Sequence, residues 1–160
     1  MSKLILLAPS AGGKSTLMRY MRENTDFNLR EMDEEVLKEN DNKWPDDNDY
    51  KDRVLVPRIV KKIIGEDDVL YLASYVPEEL LVKARNSGFR VLLIDISKEE
   101  LDRRNKERTD DEHYADASPW LQLQLDTFDK LKNKGLVDET IDGHSSTKEI
   151  ASAISNYITV

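Results

Sequence analysis

The sequence predicts one doubly wound α/β domain, a sheet of five strands with helices between them. Three observations predict it. Short apolar runs alternate with helically spaced segments along the chain, the signature of a mostly parallel sheet covered by helices. One of those runs, "DVLYLASY", is nearly all apolar, as a buried central strand must be. The 160 residues carry no internal repeat or low-complexity tract, so one core suffices.

The elements follow in order. Lys3 to Leu7 is the first strand, and a helix begins near Lys14 and runs to about Glu23, with Leu17, Met18 and Met21 on its buried side. "FNLREM", Phe27 to Met32, alternates and reads as strand two. From Asp33 to Ile64 the pattern is helical, broken by the polar turn "DNKWPDDND" with Pro45 and bent or restarted at Pro57. Strand three follows, then a helix from Pro77 to Ser87 closed by Gly88. "FRVLLIDIS" is strand four, and Lys98 to about Arg108 a helix. "TDDEHYADASP" reads as a mobile loop, and Trp120 to Lys134 as an amphipathic helix ending at Gly135. "VDETID" supplies strand five and Thr147 to Tyr157 the last helix.

Composition narrows the function classes. Hydrophobic residues make up 39% and charged residues 35%, as in soluble globular proteins. No apolar run approaches the roughly 20 residues of a membrane span, and no secretion signal is visible. The chain has no cysteine, which excludes disulfides, thiolate metal sites and a cysteine nucleophile, and a reducing cytoplasmic setting is expected. A net charge of −8 repels a nucleic-acid backbone yet leaves room for a local basic pocket. His113 and His144 are far apart and give little basis for a metal site; both are expected at the surface.

The chemistry concentrates in "LILLAPSAGGKST". Apolar strand, tight loop, then helix is the context in which Ala8-Pro9-Ser10-Ala11-Gly12-Gly13-Lys14-Ser15 works as a phosphate loop. Missing side chains at Gly12 and Gly13 let backbone N–H groups turn around an anion, and the helix N-terminus adds its partial positive charge. Ser10, Ala11, Gly12, Gly13, Lys14, Ser15 and Thr16 are therefore the expected nucleotide-binding residues. Lys14 reaches the β- and γ-phosphates, and the Ser15 hydroxyl holds Mg²⁺. Ala8 stands where a glycine is usual.

With that loop near the N-terminus, a helical insertion after strand two and an arginine-rich helix after strand four, the chain resembles the small phosphate-loop kinases of metabolites and nucleotides, such as adenylate, shikimate, gluconate and dephospho-coenzyme A kinases. The resemblance implies a three-layer fold with sheet order 2-3-1-4-5, an acceptor-binding segment over residues 33–64 and a lid over residues 104–119. It also implies ATP and Mg²⁺, and a catalytic role for Lys14.

Further candidates follow from that frame. Glu31 and Asp33, two apart at a strand end, share a face toward the ligand edge. By the resemblance, Asp33 holds or deprotonates the acceptor and Glu31 sits nearer the metal; otherwise Asp33 caps the following helix. Arg104 and Arg108, one helical turn apart with Arg103 beside them, are expected to close over ATP and stabilise the moving phosphoryl group; the plainer alternative is ordinary salt bridges with Glu99, Glu100 and Glu107. Arg53 and Arg58 are candidates for an anionic acceptor group. Gly143 and His144 lie where such kinases contact the base. Strand three ends in Ser74 and Tyr75 without a carboxylate, a departure from the family pattern that leaves the metal's second ligand open; Asp95, ending "VLLID", is read as structural. The function expected is ATP-dependent phosphoryl transfer to a small acceptor. The alternatives are a regulatory ATPase or switch and, against the acidic balance, a 5′-hydroxyl polynucleotide kinase.

Overall fold

The computed structural model describes residues 2–111 and 116–158. Five strands form one parallel sheet in the order β2-β3-β1-β4-β5: β1 Lys3–Leu7, β2 Leu29–Glu31, β3 Val69–Ala73, β4 Arg90–Asp95 and β5 Glu139–Asp142. β1 lies centrally, with Leu7 level with Ala73 of β3 on one side and Leu93 of β4 on the other. The expected fold class and strand order are what the chain adopts.

Alternation of side chains along each strand builds a core on both faces. Ile5, Leu7, Tyr71, Val91 and Leu93 pack toward α4 (Val56–Ile64), α5 (Glu78–Asn86) and Phe128 of α7 (Ser118–Asn133). Leu4, Leu6, Leu72 and Leu92 pack on the opposite face toward α1 (Lys14–Asn24) and α8 (Thr147–Ser155). Fully burying one such aliphatic side chain is worth about 2 kcal/mol, and this two-sided burial is what holds the loops at the sheet's C-terminal edge in place.

Several boundaries differ from expectation, each for a local reason. β2 ends at Glu31, because the Glu31 carboxylate accepts the Glu34 N–H at 2.9 Å and starts α2 (Met32–Glu39) there. Asp33 therefore sits in the first turn of a helix, not on the strand, and the helix cap is Glu31. After α3 (Asn48–Tyr50) the chain makes one π-helical turn, Lys51–Leu55, in which the Val56 N–H reaches back five residues to the Lys51 carbonyl. Pro57, with no N–H of its own, then sits within the first turn of α4. α6 (Lys98–Asp111) runs three residues beyond Arg108, and α7 begins at Ser118, with Pro119 in its first turn. The sequence "TDDEHYADASP" is thus helical at both ends rather than a loop throughout. Residues 112–115 of the expected lid, including His113, lie outside the described residues. No helix is long and apolar enough to cross a membrane among the described residues.

Candidate active site

The loop between β1 and α1 is shaped by three backbone facts. The Ala8 N–H donates to the Ala73 carbonyl at 3.0 Å, tying the start of the loop to the end of β3. Ala11 and Gly13 take left-handed backbone conformations, at φ 64° and 86°. A side chain at Gly12 would place its Cβ 2.7 Å from the Pro9 carbonyl oxygen, which accepts the Gly12 N–H at 3.0 Å. Gly12 therefore turns the loop, and its amide is spent within it.

The amides left open are those that follow. α1 starts at Gly13 with no side-chain cap and no acidic residue in its first turn. In contrast, α2 is capped by Glu31 and α8 carries a Ser146–Glu149 capping box. An uncapped first turn leaves its N–H groups and the helix dipole for a ligand. This turn, together with Ser10, Asp33, Arg104, Arg108 and Thr147, lines a cavity of about 510 Å³. That volume is within the range of cofactor and nucleotide sites.

The charges around Lys14 are arranged on both sides of it. Burial around its ammonium holds Lys14 below the ordinary lysine range, opposed by Asp33 and Glu31 and reinforced by Arg108 and Lys51. Burial, then the field of Asp33, pushes the Glu31 carboxyl up. Glu31 is buried and engaged with the α2 backbone, whereas Asp33 is part-exposed and lines the cavity. Of the acidic pair, only Asp33 faces the open cleft.

The arginines separate into different tasks. Arg104 donates through Nη2 to the Gly143 carbonyl at 2.9 Å, through Nη1 to the Gly12 carbonyl at 3.5 Å, and through Nε to Glu100 at 2.9 Å. It braces the phosphate loop against the β5–α8 connection. Arg103 is exposed and held between Glu100 and Glu107. Arg108 is the member of the cluster whose field reaches Lys14. Arg53 points outward to Asp49 at 3.0 Å, and Arg58 pairs with Glu39 at 3.6 Å; neither lines the cavity.

Base-side candidates also shift. A Cβ on Gly143 would fall 2.1 Å from Ile96, so the connection passes tightly over β4, and its carbonyl holds Arg104. His144 faces away from the main cavity, its Nδ1 2.8 Å from Asp142 and its Nε2 3.3 Å from the Ser97 hydroxyl. It lines a separate hollow with Asp95, and Ser145, Thr147 and Ile150 line the main cavity in its place.

Two supporting residues have no local signal in the sequence. Gln124 on α7 accepts the Ser10 N–H at 2.8 Å and donates to the Ser10 hydroxyl at 2.9 Å, across 114 positions of chain. Asn105, buried on α6, accepts the Ala117 N–H at 2.9 Å and donates to Asp116 and Ser118, clamping the start of α7. A hydrogen-bonding residue on the buried side of a helix was the available hint, but not which loop it would reach.

With an uncapped helix start behind a left-handed loop, a desolvated lysine and the 2-3-1-4-5 sheet, comparison with solved structures decides the architecture. Shikimate kinase from Aquifex aeolicus superposes with a TM-score of 0.69 at 19% identity, over 96% of this chain and 93% of that one. Shikimate kinase from Acinetobacter baumannii, in complex with shikimate, gives 0.71 at 14% identity over 99% and 97%. A gluconokinase from Sinorhizobium meliloti gives 0.66 at 20% identity over 94% and 87%. The fold is that of the small phosphate-loop kinases. No protein-family model matches the chain, and no curated protein matches it in sequence. Within this kinase fold the cavity lies at the C-terminal edge of the sheet, beside the β1–β3 boundary, where doubly wound sheets bind ligands.

Proposed function

We propose that the chain is an ATP-dependent kinase that transfers a phosphoryl group to a small hydroxyl- or phosphate-bearing acceptor. The observation that carries this reading is the uncapped first turn of α1, wrapped by a left-handed loop and faced by Lys14 and Asp33. The first-turn amides and Lys14 would hold the β- and γ-phosphates. Ser15, exposed at the helix start, would give Mg²⁺ one hydroxyl ligand, with phosphate oxygens and water supplying the others, the usual manner of Mg²⁺ in such sites. Bound Mg²⁺ supplies charge neutralisation on the phosphate oxygens.

Asp33 orients the acceptor hydroxyl and takes its proton on a carboxylate oxygen. Arg108 and Lys14 face the charge that spreads over the moving group, and Arg104 keeps the loop in register from behind. A second reading, a regulatory ATPase, is favoured by Ser74 and Tyr75 standing where strand three would otherwise offer a carboxylate. The two differ in one assay. ADP release measured across nucleosides, nucleoside monophosphates, shikimate, gluconate and dephospho-coenzyme A rises with one acceptor if the chain is a kinase. Slow release that no acceptor accelerates rejects that reading. Asp33→Asn should lower turnover by about 10²- to 10⁴-fold, the usual worth of a general base. ATP affinity should change only a few-fold; matched losses in both would make Asp33 a folding residue.

A further inference from the structure

Beside the main cavity, a hollow is lined by Asp95, Ser97, Thr140, Asp142 and His144. None of these side chains lines the main cavity itself, yet a run of hydrogen bonds joins the two. The Asp142 carboxylate accepts the His144 backbone N–H at 2.9 Å and its ring Nδ1–H at 2.8 Å. The Ser97 backbone N–H points at His144 Nε2, 3.3 Å away, with the Ser97 hydroxyl at the same distance. A backbone amide can only donate, so Nε2 is the bare nitrogen and the ring proton sits on Nδ1, facing the carboxylate. His144 thus clasps the β5–α8 connection to the start of α6.

Gly143 stands between the two clasped residues. Its N–H donates to the Asp95 carbonyl at 2.9 Å, and its carbonyl accepts Arg104 Nη2 at 2.9 Å. The same guanidinium reaches the Gly12 carbonyl through Nη1 at 3.5 Å. Glycine turns its peptide more freely than any other residue, so this carbonyl keeps its aim through the contacts on either side of it. Among them, the His144 ring bridges two elements and is 47% exposed, and histidine is the side chain that ordinarily changes charge between about pH 5 and 8. A proton on Nε2 removes the acceptor for the Ser97 N–H and sets two donors against each other. The other titratable groups lining the hollow are Asp95 and Asp142. Asp142 stays ionised across that range, its carboxyl held below the ordinary aspartate range by the bonds from the His144 amide and ring. Nearby charges are engaged elsewhere: Lys98 with Asp102, Glu100 with Arg103 and Arg104, and Glu149 of α8 with the Ser146 N–H.

We propose that His144 is a positioning residue for the phosphate loop: with Nε2 bare it holds the Gly143 carbonyl onto Arg104, and so the loop at Gly12, and protonation of Nε2 opens this clasp and weakens nucleotide binding. This rests on the main cavity being a nucleotide site, and the test separates the two. ADP is titrated by calorimetry at about pH 8 and about pH 5.5, toward either end of the range in which histidines change charge. At the higher pH, His144→Ala should raise the Kd about 5-fold or more, the equivalent of one ordinary hydrogen bond. It should add nothing in an Arg104→Ala background. His144→Gln supplies an amide oxygen that can accept the Ser97 N–H and cannot be protonated, and it should bind as the wild type does at the higher pH. Between the two pH values the wild-type Kd should rise at least 3-fold more than that of His144→Gln, whose own change carries every other titration, the nucleotide's included. A merely structural role would leave those two pH profiles parallel. Parallel profiles, an increase below 2-fold for His144→Ala, or effects of His144→Ala and Arg104→Ala that multiply in the double variant overturn the proposal. Should His144→Ala fail to fold in a thermal melt, the His144→Gln comparison decides alone. Failure of ADP to bind the wild type at the higher pH, measured first, would instead overturn the nucleotide-site reading.

Discussion

Replacing Gln124 with alanine tests whether the phosphate loop is held in shape from α7. Two hydrogen bonds are lost, at 2.8 Å to the Ser10 amide and 2.9 Å to its hydroxyl. At about 1 kcal/mol each, the loss comes to about 2 kcal/mol. The loop is the place where that loss is felt, because Ala11 holds a left-handed backbone that a non-glycine residue leaves when unsupported, at φ 64°. Once released, the loop must be reordered by its ligand, and apparent affinity falls with the fraction of molecules already in the binding shape. A shift of about 2 kcal/mol corresponds to a Kd raised about 30-fold. Calorimetric titration with ADP and with a non-hydrolysable ATP analogue measures it, beside a thermal melt. If the loop loosens locally, the Kd rises while Tm falls by less than the whole 2 kcal/mol would require in a chain of this size, about 4–8 °C. An affinity within 2-fold of wild type would refute the argument that Gln124 preorganises the loop.

Other outcomes follow from the same charges and contacts. Lys14→Met should abolish turnover without lowering Tm, because burial around the ammonium works against the folded state. Wild-type stability should rise as pH climbs through the lowered Lys14 pKa toward the ordinary lysine value, where the unfolded chain holds more protons, and the variant should lack that rise in pH-dependent melts. Glu31→Gln, which keeps an acceptor for the Glu34 N–H, should remove an opposite trend. Between the ordinary glutamate pKa and the raised one, the folded wild type binds the extra proton and gains stability as pH falls; denaturation curves across that window check it. Tyr71→Phe should stabilise the chain by about 1–2 kcal/mol in denaturant titration, since the buried Tyr71 hydroxyl has no hydrogen-bond partner among the described residues. Destabilisation by that change would show that the hydroxyl is satisfied.

What could be read from the chain alone was local. Strand, small-residue loop and uncapped helix start occupy consecutive residues, so the loop and its open helix start were visible at "LILLAPSAGGKST". The parallel sheet was visible for the same reason, since apolar runs and helical spacing are properties of neighbours along the chain. The strand end shifted by one residue, from the expected Met32 to Glu31, and the cap passed from Asp33 to Glu31, because where the chain turns depends on one carboxylate reaching one amide.

Tertiary structure decided where the charged side chains point. A single π-turn, just ahead of Pro57, left Lys51 mostly buried beside Trp44 and Asp52 and Arg53 exposed on Asp49. Arg104 looked like a residue of a moving lid and became a brace because two carbonyls, at Gly12 and Gly143, converge on it from opposite ends of the chain. Gln124 had no reason to be noticed until α7 packed beside the phosphate loop. Backbone elements are set by short-range periodicity and burial, whereas the aim of a long polar side chain is settled by partners that only the completed packing brings within hydrogen-bond distance.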